Sequence, residues 1–196
     1  PYAHPLWTMR FVRYSSGGSV TLGVESEAGL HPLSGLPAGE PSLQELTNDR
    51  YLQTVERAVD SNALSIVDPA SVSRLAPVPR PGKIVCAGLN YRDHAEEQDE
   101  EIPEQPLLFA KAPTTVTNPG SPIVHPGGGE QVDYEVELAV VIGRYARDLE
   151  AADVEDYVAG YTILNDVSGR DAQFSDGQFF RGKSYDTFSP MGPALI

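Results

Sequence analysis

Lysine is almost missing from this chain. Only Lys83, Lys111 and Lys183 occur among 14 basic residues, so arginine carries nearly all the positive charge. Against them stand 28 aspartates and glutamates, giving a formal net charge of −14. Polyphosphate repels such a chain, and nucleic acid is excluded as an expected partner. Cysteine is as scarce. Cys86 alone allows no disulfide within the chain and no thiolate metal cluster, which fits a reducing compartment. Set in the apolar run IVCAG, it reads as a packing residue rather than a nucleophile. No run of about 18 apolar residues exists to span a bilayer. The first residues, PYAHPLWTMR, lack the charged-then-apolar layout of a secretory signal. A cytoplasmic location with no membrane partner is therefore expected.

What is present is ordinary in bulk. Hydrophobic residues make up 40% of the 196 and aromatics 8%, enough for one packed domain with a smaller one attached. Acidic, lysine-poor surfaces resemble those of salt-adapted proteins, where dense carboxylates hold hydration and salt screens their repulsion, so a halophilic source is expected. Where so few lysines are kept, each invites a specific local role.

Residues 10 to 36 alternate short β-type runs with turns: RFVRY, SSGG, SVTLGVES, then the break from Gly29 to Pro32. This predicts a small antiparallel unit. Between Ser42 and Asn62, Leu43, Leu46, Val55 and Val59 fall at approximate helical spacing, with Ser42 a cap ahead of Glu45. One or two helices are expected there. The three prolines of LAPVPRPGK favour extended, unpaired backbone. They divide the chain into a small N-terminal domain, 1–78, and a larger one, 79–196. In the second part KIVCAGLN reads as a buried strand, YRDHAEEQDEE as a helix ending before Pro103, and PLLFAK as another strand. NPGSPIVHPGGG is a loop, VDYEVELAVVIG the clearest strand, EAADVEDYV a helix at 150–158, and AGYTILNDVS a further strand.

In that clearest strand Asp133, Glu135 and Glu137 share one parity while Tyr134, Val136, Leu138 and Val140 share the other. Alternating side chains put the three acids on one side. An exposed face in an acidic protein gives the same pattern. The run AVVIG, apolar at both parities, points instead to a buried strand whose carboxylates need a countercharge, for which a divalent cation is compact. A hard ion wants another oxygen, and Asp166, after the apolar run YTIL, is a candidate; it also suits a turn or helix cap. His94 and Glu97 are three apart in the expected helix, so the carboxylate can orient the imidazole as a base. A solvated acidic helix explains that spacing equally.

Six segments, GLNYRDHAEE, PLLFAK, NPGSPIV, DYEVELAVVIG, GYTILNDVSGRD and GKSYDTFSPMGP, occur here in the order and spacing of fumarylacetoacetate hydrolase family enzymes. From about Lys83 to the end the chain resembles that family, and its isomerase and decarboxylase members acting on dicarboxylic 2-oxo acids in particular. The first 80 or so residues are similar to the small β-rich domain that precedes the catalytic part in many members.

The resemblance implies a mainly β fold with short helices, and Mg2+ or Mn2+ held by Glu135, Glu137 and Asp166. It implies His94 as general base with Glu97 behind it, Lys183 near the metal, and Lys111, Arg92 and Tyr91 toward substrate. Family members continue past the counterpart of GPALI with further strands and a Gly-Thr-Pro segment, so the β-rich core is expected to be C-terminally incomplete in this chain. The expected reaction proceeds through an enolate of a small 2-oxo or 2-hydroxy-dienoic acid, by isomerisation, decarboxylation or C–C hydrolysis. Acylpyruvate hydrolysis, oxaloacetate decarboxylation and dehydration of a 2-keto-3-deoxy sugar acid are the alternatives within the family. A catalytically incomplete metal-binding fragment is the alternative outside enzymes. Such family members are commonly homodimers.

Overall fold

The computed structural model describes residues 9–97, 99 and 101–196. Strands with short helices dominate, as expected. Two compact units are present. One comprises the chain up to Pro77 with Glu137–Leu164 and Met191–Ile196; the other comprises Val78–Val136 and Asn165–Pro190. The chain first passes between them within the proline-rich segment, where backbone without amide donors makes poor strand. Its later passages fall inside or at the edge of strands, where composition gives no warning.

In the first unit β1 (Arg10–Ser16), β2 (Ser19–Ser26) and β3 (Gly29–Pro32) form an antiparallel meander, with β4 (Ser73–Leu75) on the far side of β1. Gly17 and Gly18 join β1 to β2 with φ of +56° and +86°, the left-handed pair that a two-residue hairpin requires. Ser42 and Glu45 cap each other as read: the Ser42 N–H donates to Oε2 at 2.8 Å and the Glu45 N–H to the Ser42 hydroxyl at 3.3 Å. A separate cap, Asn48, accepts from the Arg50 N–H at 3.0 Å and opens helix α1 (Asp49–Asp60). Tyr51 and Val55 on that helix join Phe11, Val24, Leu33, Leu36 and Leu46 in one apolar core.

Strands β9 (Val136–Ile142) and β10 (Val158–Asn165) are neighbours in a sheet. Here one expectation fails. AVVIG is not buried on both faces: Leu138, Val140 and Ile142 are 61%, 49% and 49% exposed. Only one parity turns inward, Val141 packing with Ala159 against the apolar core, and strand geometry sends the alternate side chains outward. The helix expected at 150–158 is a 3₁₀ segment, Ala151–Tyr157.

The second unit pairs β5 (Ile84–Gly88) with β6 (Leu107–Lys111), Cys86 facing Phe109 and Ile84 facing Lys111. Strand β7 (Val116–Thr117) runs parallel to the start of β12 (Ser189–Gly192), and β8 (Val132–Asp133) antiparallel to β11 (Ser168–Gly169). Helices α2 (Arg92–Glu97), α3 (Arg170–Ser175) and α4 (Phe180–Lys183) complete it. Helix α2 covers Arg92–Glu97 of the segment read as helical, including the first two glutamates of its acidic run. Among the described residues no helix is long and apolar enough to cross a membrane.

Candidate functional site

The second unit buries charge. Lys111, Asp166 and Lys183 are 1–2% exposed, beside Thr115, Ser168, Gln173 and Ser189. Their positions are set by backbone. The Asp166 N–H donates to the Glu135 carbonyl at 2.7 Å, and the Glu135 N–H to Asn165 Oδ1 at 3.1 Å. These two bonds fix both carboxylate-bearing residues against each other. The turn before β8 is sewn to α3: Gln131 N–H donates to Asp171 Oδ2 at 2.7 Å, Ala172 N–H to Glu130 Oε1 at 2.9 Å, and Arg170 N–H to the Gln131 carbonyl at 2.8 Å. Gly182 lets α4 lie on α3. A Cβ there would meet the Gln173 nitrogen and the Gly169 oxygen at 2.6 Å, so the glycine before Lys183 is a requirement of close approach.

On this frame the side chains alternate in sign. Lys183 Nζ donates to Glu135 Oε2 at 2.6 Å and to Asp166 Oδ2 at 3.0 Å. Lys111 Nζ donates to Asp166 Oδ1 at 2.6 Å and to the Val167 carbonyl at 3.1 Å. Arg170 takes the other oxygen of Glu135 at 2.7 Å, the Asp133 carboxylate at 2.7 Å and Gln173 Oε1 at 2.9 Å. The Phe109 ring, braced edge-on by Phe179, lies 5.2 Å from the Lys183 ammonium. Three cations thus face three carboxylates, Asp166 buried, Glu135 mostly so and Asp133 half exposed, and pairing is the condition for burying the inner two.

Ionisation follows these contacts. Burial works to raise the Glu135 carboxyl, but Lys183 and Arg170 together outweigh it and hold the group below the usual glutamate value. Arg170 holds Asp133 below its usual value as well. For Lys111 desolvation wins, and its ammonium is lowered despite Asp166 alongside.

Of the residues singled out in the sequence, the structure gathers Glu135, Asp166, Lys183 and Lys111. Glu137 follows, half-buried, in β9. Tyr91, Arg92 and Glu97 are exposed at α2 and the turn before it, and neither Arg92 nor Glu97 is a partner of the cluster. His94 falls in α2, but its side chain lies outside the described residues. Among the described residues no three of His, Cys, Asp or Glu are grouped as an ion cage. The pair Glu135 and Asp166 nonetheless offers carboxylate oxygens converging on one positive charge, and that hard donor chemistry fits Mg2+ or Mn2+. Sequence reading missed Arg170, Asn165 and Gln173. The signal available was SGRD and ND, polar clusters directly after an apolar strand.

Residues 83–196 match the family model described as Fumarylacetoacetate (FAA) hydrolase C-terminal. The chain belongs to the fumarylacetoacetate hydrolase family. It is 39% identical to the mitochondrial oxaloacetate tautomerase fahd2 of Xenopus laevis over 98% of this chain, spanning 63% of the frog protein's length. Among solved structures, 2-hydroxyhepta-2,4-diene-1,7-dioate isomerase from Mycobacterium marinum superposes with a TM-score of 0.71 at 33% identity, covering 96% of this chain and 66% of that one. Maleylpyruvate hydrolase from Sphingobium sp. SYK-6, in complex with manganese(II) and pyruvate, gives a TM-score of 0.72 at 29% identity over 96% of this chain and 67% of that one. These family relatives are enzymes on small acids, and one of them binds a divalent metal.

Proposed function

We propose that this chain carries the cation-binding site of an enzyme that interconverts keto and enol forms of a small 2-oxo diacid of the oxaloacetate type. The observation that carries the reading is the pair Glu135 and Asp166 meeting at one buried ammonium, that of Lys183. The frog relative's tautomerase name, at 39% identity over 98% of this chain, supports the choice of outcome. In this reading Glu135, Asp166 and Glu137 hold Mg2+ or Mn2+. Bound there, the ion supplies Lewis acidity toward the 2-oxo and carboxylate oxygens of the substrate.

The chain's own groups do the rest. Lys183, with the Phe109 ring beside it and its approach fixed by Gly182, donates an N–H to the oxygen on which enolate charge develops. His94, oriented by Glu97, removes the proton from the carbon next to the carbonyl and returns one to the oxygen. Tyr91 and Arg92 on the same segment bind substrate carboxylate. The enzyme is proposed to act as a homodimer in the cytoplasm, although the frog relative carries a mitochondrial name.

The test uses the full-length protein at high salt, which suits the −14 charge. Oxaloacetate tautomerisation, decarboxylation of oxaloacetate and hydrolysis of acylpyruvates are followed side by side with Mg2+ or Mn2+. Tautomerisation is expected to dominate, to vanish on chelation, and to fall about 100-fold or more in Asp166→Asn. Full rates in that variant, or after exhaustive chelation, sink the reading.

A further inference from the structure

We propose that Lys111 is a positioning residue that sets the Asp166 carboxylate for cation binding and never touches the substrate; this rests on the reading of Asp166 as a ligand. The resemblance put Lys111 among substrate contacts. Its side chain is 0% exposed, however, and its ammonium is already committed to Asp166 Oδ1 at 2.6 Å and the Val167 carbonyl at 3.1 Å. Lys183 spends both its bonds on the two site carboxylates, whereas Lys111 spends one on backbone and is thereby tied to the frame.

Two lysines divide one carboxylate between them. Lys111 takes Oδ1 and Lys183 takes Oδ2, so rotation of the carboxylate would cost both ion pairs. The backbone of Asp166 is held too: its N–H donates to the Glu135 carbonyl at 2.7 Å, and its own carbonyl accepts from the Ser168 hydroxyl at 2.9 Å. By gripping the Val167 carbonyl as well, Lys111 joins side-chain aim to backbone path. Its strand is tied to the residue after Lys183, since the Ala112 N–H donates to Ser184 Oγ at 3.0 Å. One scaffold therefore sets both ammoniums.

Stability alone is a poor reason for this arrangement. A buried ion pair rarely outperforms apolar residues of similar volume, because both charges lose their water. In a chain with three lysines, burying two at a single aspartate marks a requirement for one orientation. Outer partners of metal ligands act in this way, and their loss typically lowers metal affinity about 10- to 100-fold.

The experiment measures Mn2+ binding to the full-length protein by electron paramagnetic resonance of free Mn2+, with kcat and KM for oxaloacetate taken at saturating Mn2+. Lys111→Met is expected to weaken Mn2+ binding at least tenfold and lower kcat, while KM stays within about twofold. Unchanged Mn2+ affinity in that variant, with or without a raised KM, overturns the inference and leaves the metal reading standing. A wild-type protein that binds no Mn2+ removes the metal reading itself, and this inference with it. Should Lys111→Met not fold, Lys111→Gln keeps an N–H toward Oδ1 without the charge. A several-fold loss of Mn2+ affinity supports the inference there, and wild-type affinity refutes it.

Discussion

The two units bury opposite kinds of chemistry. In the first, the largest buried side chains are apolar, among them Leu30, Leu33 and Val55 at 0% exposure, and acidic residues stay outside. In the second, the two bulkiest fully buried side chains are lysines. Apolar packing is non-directional and tolerates repacking, whereas a buried ion network holds only with every partner in place. The first unit is thus a scaffold by its physics, and the second is built to hold charges at fixed points.

The sharpest way to break this contrast is Asp166→Ala, which leaves Lys111 without its carboxylate partner and Lys183 with Glu135 alone. Unfolding in urea is expected to show a loss of about 3–5 kcal/mol, along with loss of Mn2+ binding. An effect below about 1 kcal/mol would mean that the network is not the core of its unit. In the first unit Leu33→Ala creates a cavity at a site of 0% exposure. It should cost about 2–5 kcal/mol, with the same loss at pH 7 and pH 4 and no change in Mn2+ affinity of the folded protein. Gly182→Ala comes next. Its methyl would press on backbone of α3 and β11 rather than on a mobile side chain, for about 1–3 kcal/mol and a displaced Lys183. Activity should therefore fall by more than stability implies.

The smallest expected effect is the most diagnostic in pH. Arg170 helps hold the carboxyls of Glu135 and Asp133 below their usual values. A depressed carboxylate stabilises the fold above its unfolded value, near pH 4, and that stability disappears as pH falls through the lower folded value. Arg170→Met should accordingly cost about 1 kcal/mol at pH 7, discounted because Asp133 is half exposed. The gap to the wild type should close on acidification. A gap that widens toward pH 3 would contradict the assigned sign.

Much of the chain was readable before folding. Alternation in β1 and β2, the Gly17–Gly18 turn and the Ser42 and Glu45 pair are local consequences of backbone period and side-chain reach, so sequence spacing decides them; the strand read through Asp133 and Glu135 breaks between β8 and β9. Family motifs added Lys111 and Lys183 as residues of interest, and their scarcity marked them again. What spacing cannot express is who meets whom. Arg170 reaching back to Asp133 and Glu135, Asn165 holding the Glu135 N–H, and Lys111 sealed beneath Asp166 join residues dozens of positions apart. Those partnerships, and the outward face of β9, arise only when strands pair and water is excluded, because burial is a property of the packed whole and not of any segment.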